Sequence, residues 1–321
     1  MNRKNIKIGN VEVKGNLILA PMAGLTDLPF REICRTHGAD LVYSEMVSAK
    51  GIVYGSENTF ELTKTSDIER PVTLQIFGSE PQVMAEAAKQ IEDLPFDILD
   101  INMGCPAPKI IKNGDGSALL DEPKKIGEIV KAVSSAISKP LTIKIRKGIN
   151  GKDSYLEAAK YVEDNGGAAI ALHGRTREQY YEGNVDLEAI AKVKEALTIP
   201  VFSSGDVVDI ASYKKTMEIT KADGIMIGRG ALGNPWIFNM IRHYEATGEE
   251  LPEPSMEEKF KICLYHAKQL IAQKGEYTAI REMRKHTGWY IKGIHGAAAK
   301  RKEINQIESY EDLELVLNSL L

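Results

Sequence analysis

Cys105 stands in Asn102-Met103-Gly104-Cys105-Pro106, directly after the apolar run Ile98-Leu99-Asp100-Ile101, which reads as a buried strand. A thiol between Gly and Pro at the start of a polar loop is placed for chemistry. Catalytic groups of parallel-strand enzymes gather at the carboxyl ends of the strands. The other two cysteines, Cys34 and Cys263, fall on helical apolar faces and read as core residues. No C-x-x-C pair occurs, so no disulfide framework is expected, and a reducing, cytoplasmic setting fits best. Nothing in the pattern calls for a metal.

Strand phase adds partners to the thiol. Side chains alternate between the two faces of a strand. In Leu141-Thr142-Ile143-Lys144-Ile145, the isoleucines share one face while Lys144 and Arg146 share the other. The same reading sets Gln75 opposite Leu74 and Ile76, Asn102 opposite Ile101, and His173 opposite Leu172. If the aliphatic residues face outer helices, then Gln75, Asn102, Lys144, Arg146 and His173 all point inward near strand ends. One inward polar residue is ordinary packing; five on one rim need partners or a ligand.

Those strands belong to a regular series. Eight apolar runs, centred on residues 17–19, 41–43, 72–76, 98–101, 141–145, 169–172, 201–202 and 224–227, are each followed by a loop and a helical stretch. Side-chain acceptors with a first-turn proline announce helices at Thr26-Asp27 with Pro29, Ser79 with Pro81, and Asp121 with Pro123. This alternation predicts a (β/α)8 TIM barrel of the α/β class over residues 1–250, entered through a short hairpin at Ile6–Val13. Pro252 and Pro254 then interrupt the pattern, and Ser255-x-x-Glu258 is a capping box opening a new helix. From 251 to 321 apolar residues recur at helical spacing, which predicts a small helical domain.

Composition agrees with a soluble globular chain: 321 residues, 43% hydrophobic and 27% charged, with net charge −4. The N-terminus lacks a signal-peptide apolar region, and no apolar run is long enough to span a bilayer, so no membrane is expected. Charge segregates, however. Residues 281–302 hold seven Lys or Arg against Glu282, which makes that stretch +6 and leaves −10 for the rest. Such asymmetry suits an anionic partner met by one surface.

Two glycine-rich turns follow the seventh and eighth runs: Ser203-Ser204-Gly205-Asp206 and Gly228-Arg229-Gly230. In that order they occupy the position where barrels bind a phosphate through backbone N–H groups and a helix N-terminus. A ligand with a phosphate at one end and polar contacts from Gln75 and Lys144 at the other is therefore expected. A flavin mononucleotide or a sugar phosphate would satisfy that description.

Several of these stretches, taken together, resemble one family. Pro21-Met22-Ala23-Gly24-Leu25-Thr26-Asp27, Asn102-Met103-Gly104-Cys105-Pro106, Lys144-Ile145-Arg146, His173-Gly174-Arg175-Thr176-Arg177 and Gly228–Pro235 followed by Trp236 are similar to tRNA-dihydrouridine synthases of a bacterial branch. Ser204-Gly205-Asp206 stands where that family usually shows Asn-Gly-Asp. The resemblance implies an FMN-dependent enzyme that reduces the C5–C6 double bond of uridine in the tRNA D-loop, with NADPH or NADH as reductant. It implies that Pro21, Met22 and Ala23 line the flavin, with Gln75, Lys144 and His173 at its ring. Ser204, Gly205, Asp206, Gly228 and Arg229 would hold its phosphate. Hydride would go to uracil C6 and a proton from Cys105 to C5, which suits a thiol whose unperturbed pKa of about 8.5 leaves it protonated at neutral pH. Asn102 and Arg146 would grip the base.

For the RNA itself, Arg281, Arg284 and Lys285 occupy i, i+3, i+4 positions of a helix, next to Trp289 and Tyr290. This basic face is expected to meet phosphates, with Arg175 and Arg177 guiding the backbone inward; a monomer suffices for that arrangement. Three alternatives stand beside this reading. They are a Schiff-base lyase built on Lys144, a flavin enzyme of free pyrimidines, and a non-catalytic RNA binder.

Overall fold

The structure is a computed structural model that describes residues 5–321. A hairpin of β1 (Ile6–Ile8) and β2 (Val11–Val13) comes first. Eight parallel strands then close into a barrel: β3 (Leu17–Leu19), β4 (Leu41–Ser48), β5 (Val72–Phe77), β6 (Ile98–Met103), β7 (Leu141–Arg146), β10 (Ala169–His173), β11 (Val201–Ser204) and β12 (Gly224–Ile227). Each pairs with the next in sequence, and β12 pairs with β3. The eight apolar runs of the sequence are these eight strands. A further small hairpin, β8 (Gly148–Ile149) with β9 (Lys152–Asp153), follows β7. Its signal was the Asn150-Gly151 pair, both at positive φ, as a two-residue hairpin turn requires.

Two apolar layers hold the barrel. Leu74, Ile76, Ile101, Ile143, Ile145 and Leu172 face the surrounding helices and are fully buried there. Inside, Ile18, Leu41, Tyr43, Ile98, Ala169, Ala171, Phe202 and Met226 form a separate cluster, which Ile6, Ile8 and Val13 of the first hairpin join. The hairpin therefore shares the core of the barrel interior. β4 runs longer than its apolar run, with a register shift between Tyr43 and Met46 where it pairs with β5. That irregularity turns Met46 into the cavity at the mouth.

Helix starts correct part of the capping expectation. Asp27 caps Leu28–Thr36, accepting from the Phe30 N–H at 3.0 Å, and Ser255 caps Met256–Lys274 in a capping box with Glu258. Ser79 and Asp121 do not cap. Glu80 and Glu122 occupy those positions without a side-chain bond, and Pro81 and Pro123 alone set the first turn. Past residue 250, Met256–Lys274, Glu276–Tyr290, Ala297–Ile304 and Tyr310–Asn318 gather around an apolar cluster of their own, which includes Phe260, Cys263, Met283, Tyr290, Leu313 and Leu317. Among the described residues no helix is long and apolar enough to cross a membrane.

This helical region is seated on the barrel by buried polar bonds. The Asp27 carboxylate lies within 3.1 Å of His266 Nε2 and 2.8 Å of His286 Nε2, all three residues being buried. Phe30 stacks against His266, with ring centroids 5.8 Å apart. Burial alone would raise the Asp27 carboxyl, but the two imidazoles outweigh it and hold it well below its ordinary range. Gly233, at φ +65°, allows a close backbone approach: a Cβ there would sit 2.4 Å from the Trp289 carbonyl.

Candidate active site

Strand register builds the site in layers. Gln75, Asp100 and Thr142 are neighbours across β5, β6 and β7; one step further along, Asn102 pairs with Lys144; the next step pairs Arg146 with His173 and His173 with Ser204. All share the inward face. Gln75, Asn102, Lys144, Arg146, His173 and Ser204 line one cavity of about 680 Å³ at the carboxyl ends of the strands, together with Cys105. Pro21, Met22, Ala23, Gly205, Asp206, Gly228 and Arg229 complete its rim. The inward ring inferred from strand phase therefore converges on a single space, of ordinary size for a cofactor site.

The thiol loop is tightly held. The Asn102 Oδ1 accepts from the Cys105 N–H at 2.8 Å and the Gly104 N–H at 3.1 Å. The Cys105 carbonyl accepts from Ser117 through both its N–H and its hydroxyl. Gly104 packs on the β7 backbone, where a Cβ would meet Ile145 C at 3.1 Å and Arg146 N at 3.3 Å. Cys105 is half-buried, whereas Cys34 and Cys263 are fully buried, so one sulfur of the three faces the cavity.

Lys144 is the electrostatic centre. Burial and the nearby Arg146 push its ammonium down to about 8, against the pull of Asp100 and Cys105. Among the described residues its Nζ has no hydrogen bond and no ion pair. A cation in a partly dry cavity without a partner fits an anionic or carbonyl-rich ligand such as a flavin ring. His173 is held well below its usual pKa by burial and by Lys144, Arg146, Arg175 and Arg229, so it stays neutral. Arg175 Nη1 lies 3.4 Å from His173 Nε2; a guanidinium only donates, which leaves the ring proton on Nδ1.

Several expected contacts fall elsewhere. Arg175 is buried, donates to both carboxylate oxygens of Asp206 and to the carbonyls of Glu182 and Gly183, and is not among the cavity-lining residues. It holds the 174–186 loop and has no free fork for an RNA backbone. Asp206 in turn pairs with Arg175 and with Arg229. Its carboxylate orients Arg229 and cannot itself receive a phosphate, because like charges repel. Arg146 lines the cavity, but its Nε donates to Gly104 and its Nη1 to Thr176 and Tyr180, so only Nη2 is left for a ligand. Arg177 sits 5.6 Å over the Tyr180 ring, with a buried Nε that has no partner.

The basic helix face is also divided. Arg284 donates to the Ile307 carbonyl and Arg281 lies on the Tyr277 ring at 3.5 Å, while Lys285 reaches the Gly24 carbonyl at 3.3 Å. Exposed cations remain at Lys285, Lys292, Arg301 and Lys302. Two residues to which the sequence assigned no role, Tyr181 and Asp100, and one read only beside the basic helix face, Trp289, belong to the site. Tyr181, 53% exposed, stands in the cavity mouth with Arg229 at 4.7 Å and Arg146 at 5.5 Å from its ring. Trp289 brings the helical region into the cavity wall. Asp100 lies beneath, bonded to Gln75 and Thr142.

A family model described as dihydrouridine synthase (Dus) matches residues 18–320 of this chain. This chain belongs to the dihydrouridine synthase family. A probable tRNA-dihydrouridine synthase of Rickettsia bellii is 42% identical over 304 residues, covering 94% of this chain and 93% of that protein. A tRNA-dihydrouridine synthase B of Vibrio cholerae is 43% identical over 308 residues, 95% of each. Among solved structures, an old yellow enzyme homologue from Zymomonas mobilis aligns with TM-score 0.55 at 12% identity over 80% of this chain and 96% of that one. A 2-naphthoyl-CoA reductase complex aligns with TM-score 0.59 at 13% identity over 75% of this chain and 52% of that one. At such identities these two share the barrel fold. For a dihydrouridine synthase, Lys144 has no call to form a Schiff base, and the lyase alternative falls.

Proposed function

We propose that this dihydrouridine synthase reduces the C5–C6 double bond of uridine in the D-loop of tRNA, with FMN in the barrel mouth and NADPH or NADH as electron source. The observation that carries the reading is one cavity lined by both an unpartnered, half-buried ammonium, Lys144, and a thiol, Cys105. Pro21, Met22, Ala23 and Gln75 would hold the flavin ring with Lys144, and the backbone around Ser204–Gly205 and Gly228–Arg229 its phosphate. A reduced flavin held by these residues would supply hydride chemistry for uracil C6.

The chain's own residues supply the rest. Cys105 delivers a proton to C5, and thiol acids of this kind contribute about 10²–10⁴-fold. Asn102 has one Nδ2–H bonded to Gln75 and a second available for a uracil carbonyl. Arg146 Nη2 and the neutral His173 Nδ1–H are the further donors for charge that develops on the base. A uridine must leave its stack to enter, and Tyr181, flanked by Arg229 and Arg146, offers it a stacking face. Residues 1–250 would act as the catalytic barrel and 251–321 as the tRNA-binding part, with Lys285, Lys292, Arg301 and Lys302 meeting phosphates. The names of the relatives support tRNA as the substrate.

The test is Cys105→Ala. The purified variant should keep the yellow flavin spectrum and its bleaching by NADPH, yet lose at least about 10²-fold in uridine reduction on unmodified tRNA. Wild-type single-turnover rates in this variant would remove Cys105 from the acid role.

A further inference from the structure

Between the barrel floor and the thiol loop runs a chain of side-chain amides whose orientation shape alone does not decide. Its hydrogen bonds do. The N–H groups of Gly104 and Cys105 can only donate, so Asn102 must turn its oxygen to them. Asn102 Nδ2 then faces Gln75 and donates to Oε1 at 2.9 Å. Gln75 must therefore present Nε2 on its other side, where Asp100 Oδ2 accepts it at 2.7 Å. Asp100 Oδ1 accepts from the Thr142 hydroxyl at 2.7 Å, and Asp100 is fully buried. Backbone donors at one end and a carboxylate at the other thus demand the same sense of the relay.

We infer that Asp100 is a positioning residue for Cys105: its Oδ2 is the terminal acceptor that fixes the amide orientations of Gln75 and Asn102, and through them the thiol loop. Remove that acceptor and the buried Gln75 Nε2 loses its partner, so Asn102 Nδ2 alone is left to hold the Gln75 amide in this sense. A flipped Gln75 sets nitrogen against Asn102 Nδ2, and the strain is relieved only by loosening the grip of Asn102 on the Cys105 N–H. A charge is not required. Burial raises the Asp100 carboxyl to about 7, with Thr142, Gln75 and Lys144 opposing. Yet a proton on Oδ1 can be given to the Thr142 oxygen while Oδ2 goes on accepting. An amide at this position can do the same, with its nitrogen toward Thr142. The catalytic consequence rests on the proposed acid role of Cys105; the positioning itself does not.

Alkylation of the holoenzyme by iodoacetamide reads the position of the sulfur without any uridine chemistry, because Cys34 and Cys263 are fully buried. Asp100→Leu should alkylate Cys105 about fivefold or more faster than wild type, the loss expected for one buried hydrogen bond, with kcat on tRNA reduced and KM unchanged. Asp100→Asn should stay within about twofold of wild type. An Asp100→Leu rate within twofold of wild type in folded protein overturns the positioning role. Changed alkylation with unchanged kcat would keep that role and overturn the acid role of Cys105 instead. If Asp100→Leu does not fold, Gln75→Glu serves, since it sets two carboxylates together. Adding Asp100→Asn to it supplies an amide donor to the new carboxylate and should bring the alkylation rate back toward wild type. A double variant no closer than Gln75→Glu alone overturns the relay.

Discussion

Replacing Lys144 by methionine removes the cavity's unpartnered cation at nearly constant length. In the free protein burial and Arg146 bring this ammonium to about 8 from an ordinary 10.5. A ligand that places negative charge or a carbonyl against Nζ must raise that value again. Full recovery, from about 8 to 10.5, is about 2.5 units, or about 3.4 kcal/mol at 1.36 kcal/mol per unit. This is an upper bound, since the side chain borders an open cavity and is only partly buried. The sign follows from linkage. Below pH 8 the lysine is charged in both states and affinity is flat; above it, binding must take up a proton and affinity falls by up to tenfold per pH unit. Titration of apoprotein with FMN between about pH 6.5 and 9.5, by quenching of flavin fluorescence, reads this directly. Lys144→Met should bind about 10–100-fold more weakly at neutral pH and lose the alkaline slope. A wild type without that slope, or a methionine variant that keeps it, would refute the assignment of Lys144 as the cofactor's cation.

Further outcomes concern the seam and the surface. Asp27→Ala removes a helix cap and strands two buried imidazoles, and should cost about 3–5 kcal/mol in urea unfolding; a loss under about 1 kcal/mol would show that His266 and His286 find other acceptors. His286 is pushed below its ordinary 6.5 by burial and by His266, so stability should be full above that pH and fall as pH drops below it, by up to about 1.4 kcal/mol per unit. His286→Gln, which keeps a donor for Asp27, should flatten this slope in Tm measured from pH 7 to 5. Gly233→Ala forces a Cβ against the Trp289 backbone at a positive φ and should alter Trp289 fluorescence while destabilising the fold by about 1–3 kcal/mol. If Lys285, Lys292, Arg301 and Lys302 all meet phosphates, log K for tRNA should fall with log salt with a slope near −3 to −4, and each alanine substitution should reduce that slope by about one; a flat dependence removes this surface from the RNA.

The barrel and the inward ring were legible because both follow from local alternation. Leu74, Ile76, Ile143 and Leu172 need an apolar partner, and that need alone turns Gln75, Lys144 and His173 to the other face. Cys105 was legible for a related reason: a strand end followed by Gly104 and Pro106 leaves a thiol few structural roles. The resemblance supplied what alternation does not contain, namely which ligand to propose for such a ring.

What remained hidden depended on partners far away in the chain. Asp100 reads as one polar residue within an apolar strand, and only the register across β5 to β7 sets it between Gln75 and Thr142. Asp27 reads as a cap. Two histidines more than 230 residues away make it a bond between the barrel and the C-terminal helices as well. Arg175, Arg284 and Asp206 have the residue types of phosphate binders or loop acids, and tertiary contacts engage each of them within the protein. Periodicity states which way a side chain points, because that is geometry along one element. Whether a charge is free for a ligand is decided by what the closed barrel and the docked helices bring within 3 Å of it, because desolvated charges take whatever partner is near.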